Sequence, residues 1–356
     1  MKKYISVFLA VCLLCLSACG KKDDGPVTFP PSSSQVTTAD EAAEDKATAE
    51  EATSLTQAPD PTELSPQVEK STVVDTENSF AGYPINIAGS VLKGAEGGKT
   101  LSRLTALPRI SYSATPARTD IPLSYNRVSH SHGPASGGQP HHTVVDFQKN
   151  FDKFGAYTLG KAETENGEKV LYLTFDCGYE YENLTSTVLD VLKEKQVPAA
   201  FFCTLDHIKK ERAIISRMIN EGHIVGNHSA THPSFGGISR EKMAKELEQT
   251  ENYLRENYGY ASKFFRFPAG EYTEGALDQV AALGYVSVFW SVAYNDWNTD
   301  KIQGKDYAVK TVTERLHPGA IILLHSVSKD NAAALPEIID RARAQGYVFR
   351  ALTQLA

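Results

Sequence analysis

The feature that most constrains the fold is an alternation sustained from residue 169 to residue 350. Short apolar runs at 169–175, 198–203, 223–226, 263–267, 286–290, 320–324 and 347–350 predict strands. The segments 183–195, 207–221, 238–258, 273–283, 305–316 and 331–344 predict helices between them. In 238–258, Met243, Leu247, Tyr253 and Leu254 recur at approximate helical spacing. Strand and helix alternating in this way imply parallel strands joined by crossover helices. A (β/α) barrel is the natural closure, with its working face at the C-terminal ends of the strands.

Polar residues cluster at those ends. Asp176 and Cys177 end the first strand, and His228 and His232 follow the third. The run Arg266-Phe-Pro-Ala-Gly270 ends the fourth, residues 290–297 follow the fifth, and His325 ends the sixth. Packing alone accounts poorly for five such ends. A spacing of four residues is close to one helical turn, so the two imidazoles can face one metal ion. A carboxylate beside such a site is the minimum equipment for activating water near neutral pH. The competing structural reading makes Asp176 and Arg266 an ion pair at a barrel rim and His232-Pro233 part of a turn.

The N-terminal part reads differently. Lys2 and Lys3 precede an apolar run, 4–16, that is too short to span a membrane comfortably. It ends in Leu16-Ser17-Ala18-Cys19-Gly20, which resembles the lipobox of bacterial lipoproteins. Residues 1–18 are therefore expected to be a lipoprotein signal peptide and Cys19 a lipidated membrane anchor. The alternative is an ordinary secretory signal with Cys19 incidental. Residues 19–80 are expected to form a disordered linker, because Ser, Thr, Ala, Pro, Asp and Glu bury too little apolar area to offset chain entropy. Residues 81–165 form an extension leading into a domain at 166–356. The stretch 21–80 carries 4 Lys/Arg against 13 Asp/Glu, which with Lys2 and Lys3 accounts for the whole net charge of −7. Residues 81–356 are thus neutral, which argues against nucleic acid as a partner. Cys177 and Cys203 fit no disulfide-rich scaffold, and a bridge between them would occupy the candidate centre. His130, His132, His141 and His142 lie in Ser- and Gly-rich sequence and are expected in a solvated loop.

The ordered motifs resemble those of the polysaccharide deacetylases, the NodB-homology enzymes of carbohydrate esterase family four. That family reads TFDDG, HSxxH, RxPxG, a DW element and LxH in this order. Here they stand as Thr174-Phe-Asp-Cys-Gly178, His228-Ser-Ala-Thr-His232, Arg266-Phe-Pro-Ala-Gly270, Asp296-Trp297 and Leu323-Leu-His325. Within the family, Asp176-Cys-Gly-Tyr-Glu180, Val288-Phe-Trp-Ser-Val-Ala293, His317-Pro-Gly-Ala320, His325-Ser-Val-Ser-Lys-Asp-Asn331 and Phe154-Gly-Ala-Tyr157 resemble the delta-lactam-biosynthetic branch, which acts on muramic acid in peptidoglycan. The resemblance implies a distorted (β/α) barrel and hydrolysis of an N-acetyl amide. Two positions depart from the family: its second aspartate, a metal ligand, is Cys177, and the first acid of its DxxDW element is Ala293.

On this reading Asp176 is the general base, held ionised by Arg266. His228 and His232 ligate a divalent cation, with Zn2+ favoured by imidazole. Cys177 either adds a soft third ligand or turns into the barrel wall. His325 is the general acid that an amide leaving group requires. The Tyr179 backbone N–H helps hold the developing oxyanion. Asp296, Trp297 and Leu323 belong to the substrate pocket, although Trp297 and Leu323 equally suit a core. The expected substrate is the glycan strand of peptidoglycan, and the expected product is muramic delta-lactam. An upstream N-acetylmuramoyl-L-alanine amidase is then a functional partner. The expected location is outside the cytoplasm, anchored to the membrane. Rival readings are a GlcNAc or chitooligosaccharide deacetylase, a catalytically silent glycan-binding lipoprotein motivated by Cys177 and Ala293, and a solute-binding lipoprotein, whose two lobes the single run of strand–helix units does not supply.

Overall fold

The computed structural model describes residues 115–356 except Gly259 and Ser262. The expected signal peptide, Cys19, the linker and residues 81–114 of the extension lie outside the described residues. The elements in chain order are β1 (Val128–Ser129), α1 (His142–Phe151), β2 (Lys169–Cys177), α2 (Leu184–Lys195), β3 (Ala199–Cys203), α3 (Leu205–Lys210), α4 (Arg212–Asn220), β4 (Ile224–Asn227) and α5 (Arg240–Tyr258). They continue with β5 (Phe264–Phe265), β6 (Glu271–Tyr272), α6 (Glu274–Ala282), β7 (Val286–Ser287), α7 (Lys305–Thr313), β8 (Ala320–His325), α8 (Lys329–Ala344) and β9 (Tyr347–Phe349).

Seven of the strands form one parallel sheet in the order β7-β5-β4-β3-β2-β8, with β9 beside the first residues of β2. β2 is the hub. Its side chains alternate between the two faces. Leu171, Leu173, Phe175 and Cys177 join the apolar layer under α2, α4 and α8, with Leu189, Ile215 and Leu335. Val170 and Tyr172 face inward with Phe202 and Ile224. Burying each large side chain of this kind contributes about 1.5–3 kcal/mol.

The sheet curls but β7 and β8 do not pair directly. Single bridges span the gap: Tyr157 to Val288, Leu159 to Ala320, and Val292 to Ile322. The result is the distorted barrel that the sequence predicts.

The predicted elements recur with three informative differences. The predicted strand 286–290 stops at Ser287, because the carbonyls of Val288 and Phe289 accept hydrogen bonds from the Arg266 guanidinium at 2.9 and 3.1 Å. The predicted helix 207–221 is two helices, α3 and α4, broken at Glu211 with φ −104° and ψ 50°. Residues 115–165 are not merely a lead-in. Within them β1 pairs antiparallel with β6, and α1 inserts Phe151 into a second core. There Phe151 stacks on Phe289 at 4.4 Å, and Phe289 on Phe267 at 5.5 Å.

The histidines expected in a solvated loop are distributed otherwise. His130 is buried, and its Nε2–H donates to the Trp290 carbonyl at 2.7 Å. His132 accepts from Trp290 Nε1 at 3.2 Å. His141 caps α1, its Nδ1 accepting from the Thr143 N–H at 3.3 Å. Only His142 is exposed.

Candidate active site

The C-terminal ends of β2, β4, β5 and β8 bring the candidate residues together. Parallel register sets Asp176 directly beside His325. On each strand these residues point to the inward face, since the alternate positions lie under the helices.

Asp176 is held by two neighbours. Arg266 Nη1 donates to its Oδ1 at 2.8 Å, and His228 Nε2 lies 3.7 Å from its Oδ2. Burial works to raise the carboxyl pKa, while the charges of Arg266, His228 and His325 lower it, and the net shift is downward. Arg266 is itself completely buried. Two of its donors go to the carbonyls that end the fifth predicted strand, and its guanidinium lies 4.2 Å from the centroid of the Phe202 ring. A rigid planar fork suits this task, which a lysine could not copy.

His228 is oriented by the backbone. Its Nδ1–H donates to the Arg266 carbonyl at 2.9 Å, which leaves the Nε2 lone pair toward Asp176. The ring of His232 lies 4.8 Å from that of His228, nearly perpendicular to it. The expected helical turn is absent from this motif. Residues 228–234 form a loop in which Ser229 and His232 adopt left-handed φ of 70° and 56°. Pro233 disfavours the right-handed helical conformation at His232, which explains the difference. Glu246 of α5 holds the loop: its Oε2 accepts from the N–H groups of Ala230 and Thr231 at 3.1 and 2.7 Å. Asn227 Oδ1 accepts from the Ser229 N–H at 2.9 Å. Burial lowers the pKa of both histidines, to about 4 for His232, so both are neutral and carry lone pairs near neutral pH. Two neutral imidazoles, one tied down through its second nitrogen, are the donor chemistry that a divalent cation requires.

Asp296 lies elsewhere than expected. It is not in a substrate pocket but buried against His325: Oδ1 accepts from His325 Nδ1–H at 2.7 Å and Oδ2 from the His325 N–H at 2.8 Å. Asn331 Nδ2 donates to the same Oδ2 at 2.5 Å. Burial lowers the pKa of His325, but the charge and hydrogen bond of Asp296 outweigh it and raise the value overall. The acid of the DW element, Asp296, thus partners His325 although Ala293 offers no carboxylate, and the Ala293 carbonyl meets Arg315 and His132.

Of the two courses open to Cys177, a third ligand beside His228 and His232 or a place in the barrel wall, the structure shows the second. It sits in the helix-side layer, 3.3 Å from Ser326 Oγ, on the face opposite Asp176. Successive side chains of a strand point to opposite faces, and at the end of β2 Asp176 and Cys177 keep that alternation. Trp297 lines a cleft of about 430 Å3 with Asn295, Asn298 and Asp300. Leu323 is not part of that cleft and packs in the second core. Tyr179 is half exposed on the loop after β2. Asn331 ends the run that begins at His325, and the structure adds its role, holding Asp296 and the His325 carbonyl. Asn227 and Glu246 sit one residue before and fourteen residues after the HSxxH motif, and no local pattern marks them.

Residues 163–288 match the model of the polysaccharide deacetylase family. Over 226 residues the chain is 38% identical to the peptidoglycan-N-acetylmuramic acid deacetylase PdaA of Bacillus subtilis, covering 63% of this chain and 82% of that protein. A chitooligosaccharide deacetylase of Sinorhizobium fredii is 33% identical over 202 residues, covering 53% and 92%. The solved structure of Bacillus subtilis PdaA, a family 4 carbohydrate esterase, superposes with a TM-score of 0.62 at 36% identity, covering 66% of this chain and 98% of that one. A family 4 carbohydrate esterase from Bacillus anthracis superposes with a TM-score of 0.54 at 36% identity, covering the same shares.

Proposed function

The chain belongs to the polysaccharide deacetylase family and is a hydrolase of N-acetyl amide bonds, and from that premise we propose that it removes the acetyl group of N-acetylmuramic acid in peptidoglycan. The observation that carries this reading is the apposition of Asp176 and His325, each pinned by an opposite charge. Arg266 keeps the base ionised and Asp296 keeps the acid protonated, so the two groups are pushed to opposite protonation states over the same pH range.

Asp176 takes a proton from the attacking water. The water oxygen adds to the acetyl carbonyl, and the Tyr179 N–H faces the developing oxyanion. His325, oriented through Nδ1, delivers a proton from Nε2 to the departing nitrogen. The C–N bond breaks, and acetate and a free amine leave. His228 and His232 are the residues that would hold a divalent cation, with zinc favoured by their nitrogen donors. When bound, such a cation supplies Lewis acidity toward the acetyl oxygen. Once a stem peptide has been removed from the lactyl group, the freed muramic amine can attack that carboxyl group, with loss of water, to give a delta-lactam. An N-acetylmuramoyl-L-alanine amidase therefore acts upstream.

The likeness to PdaA supports muramic acid as substrate, and the likeness to chitooligosaccharide deacetylase supports a GlcNAc-directed alternative. The two separate on intact and amidase-trimmed peptidoglycan analysed by mass spectrometry. Muramic residues that lose acetyl plus water only after trimming are the expected result. Acetyl loss confined to glucosamine would reject the muramic assignment. Asp176→Asn should abolish both losses. Lipidation at Cys19 would hold the domain at the outer face of the membrane, with the linker giving reach toward the wall. Cys19→Ser should then move the protein from the membrane fraction to the medium.

A further inference from the structure

Cys177 belongs to a constellation separate from the catalytic residues. Its Sγ, Cys203 Sγ and a ring nitrogen of His207 all lie within 4.8 Å of one another, and all three side chains are fully buried. The topology makes this cluster. Cys203 is the register neighbour of Cys177 at the ends of β3 and β2. The Thr204 hydroxyl then accepts from the His207 N–H at 3.3 Å and starts α3 at once. His207, on the first turn of α3, thereby meets the two sulfurs on the helix side of the sheet.

The sulfurs have only weak partners: each other, Ser326 Oγ at 3.3 Å from Cys177 Sγ, and the Phe201 carbonyl at 3.6 Å from Cys203 Sγ. Both ring nitrogens of His207 are buried without a hydrogen-bond partner among the described residues. Each such unmet group is destabilising, a cost that an apolar residue of similar size would avoid. An unmet imidazole aimed at two thiols is therefore better explained by an occupant than by packing. A disulfide between the two cysteines is not that occupant, since it would leave His207 unmet, and both thiols are free.

We propose that Cys177, Cys203 and His207 form a buried site for a soft divalent cation of the zinc class, on the helix side of β2 and distinct from the His228–His232 pair. Zinc bonds of about 2.3 Å to sulfur and 2.0–2.1 Å to imidazole place the donors of such a set roughly 3.5–3.8 Å apart, inside the observed span of 4.8 Å. The donor set holds no carboxylate, so it selects against magnesium and calcium. Occupied, the site ties β2 to β3 and α3 one residue from Asp176. Cys177 thus departs from the family aspartate because it serves this second cation.

The test loads the full chain with cobalt(II) alone and records its near-ultraviolet spectrum. A thiolate-to-cobalt charge-transfer band is expected. The catalytic pair offers nitrogen only, so His228→Ala should keep the band and Cys203→Ser should lose it. Zinc content should fall by one equivalent per chain in Cys203→Ser, with circular dichroism unchanged. No band in the wild-type chain at saturating cobalt would overturn the proposal, whatever the variants do. So would a band lost in His228→Ala and kept in Cys203→Ser, or a Cys177–Cys203 disulfide found by mass in the unreduced protein. None of these outcomes bears on whether Asp176 and His325 cleave an amide.

Discussion

At Asp176 and His325 burial acts against the charged form of both groups, and charged neighbours reverse it, Arg266 foremost at Asp176 and Asp296 foremost at His325. Asp176 is ionised above its lowered pKa, and His325 is protonated below its raised one, so activity should be maximal between the two. Asp296→Asn removes the charge that does most to raise His325 and leaves only the charge of Asp176 against burial. The alkaline limb of kcat/KM should therefore move to lower pH, while an unchanged limb would show that Asp296 does not tune the acid. The same pair contributes stability that is fully present below the unfolded-state pKa of histidine and is lost as pH rises through the raised folded value. His325→Ala removes the proton donor itself and should lower kcat about 10²–10⁴-fold, the usual worth of a positioned acid, with no change in the thermal midpoint of comparable severity.

At the level of elements, the HSxxH loop is held less by its own residues than by α5. Glu246 accepts three hydrogen bonds from the loop, two from the N–H groups of Ala230 and Thr231 and one from the Thr231 hydroxyl. Glu246→Ala leaves two N–H groups unmet at about 1–3 kcal/mol each and loosens a loop that already carries two left-handed residues. Weaker cation binding in a folded chain is expected by calorimetric titration, and wild-type affinity would remove Glu246 from this role. In β4, a Cβ added to Gly226 would lie 2.5 Å from the Phe202 ring, which itself packs under the Arg266 guanidinium. Gly226→Ala should cost about 1–3 kcal/mol by overpacking, read as a lowered denaturation midpoint. The loss should extend to activity, because Phe202 shifts against the side chain that holds Asp176.

On the scale of the whole molecule, the barrel is closed by chain that is not part of its strand–helix repeat. Residues 157–159 bridge toward β7 and β8, His130 fills the space beside Trp290, and Phe151 completes the aromatic stack with Phe289 and Phe267. A chain beginning at residue 115 should unfold cooperatively on heating. One beginning at residue 166 should expose the second core and be recovered insoluble or without a cooperative transition. A cooperative, soluble 166–356 fragment would show that the closing segment is dispensable.

The sequence by itself determined the parallel architecture and the strand ends at which polar residues gather, because both follow from local periodicity: apolar runs, helical spacing and the residue where each run stops. It also identified Asp176, Arg266, His228, His232 and His325, which the fold brings to one end of the sheet. Only the tertiary structure decided which side of β2 each end residue faces, and so separated Cys177 from Asp176. It alone joined Asp296 to His325 and Glu246 to the histidine loop, and buried His130 in a stretch whose composition reads as solvated. The physical reason is common to these cases. Composition and spacing report what a segment can do alone, whereas a carboxylate's partner or a loop histidine's burial depends on contacts made across many tens of residues.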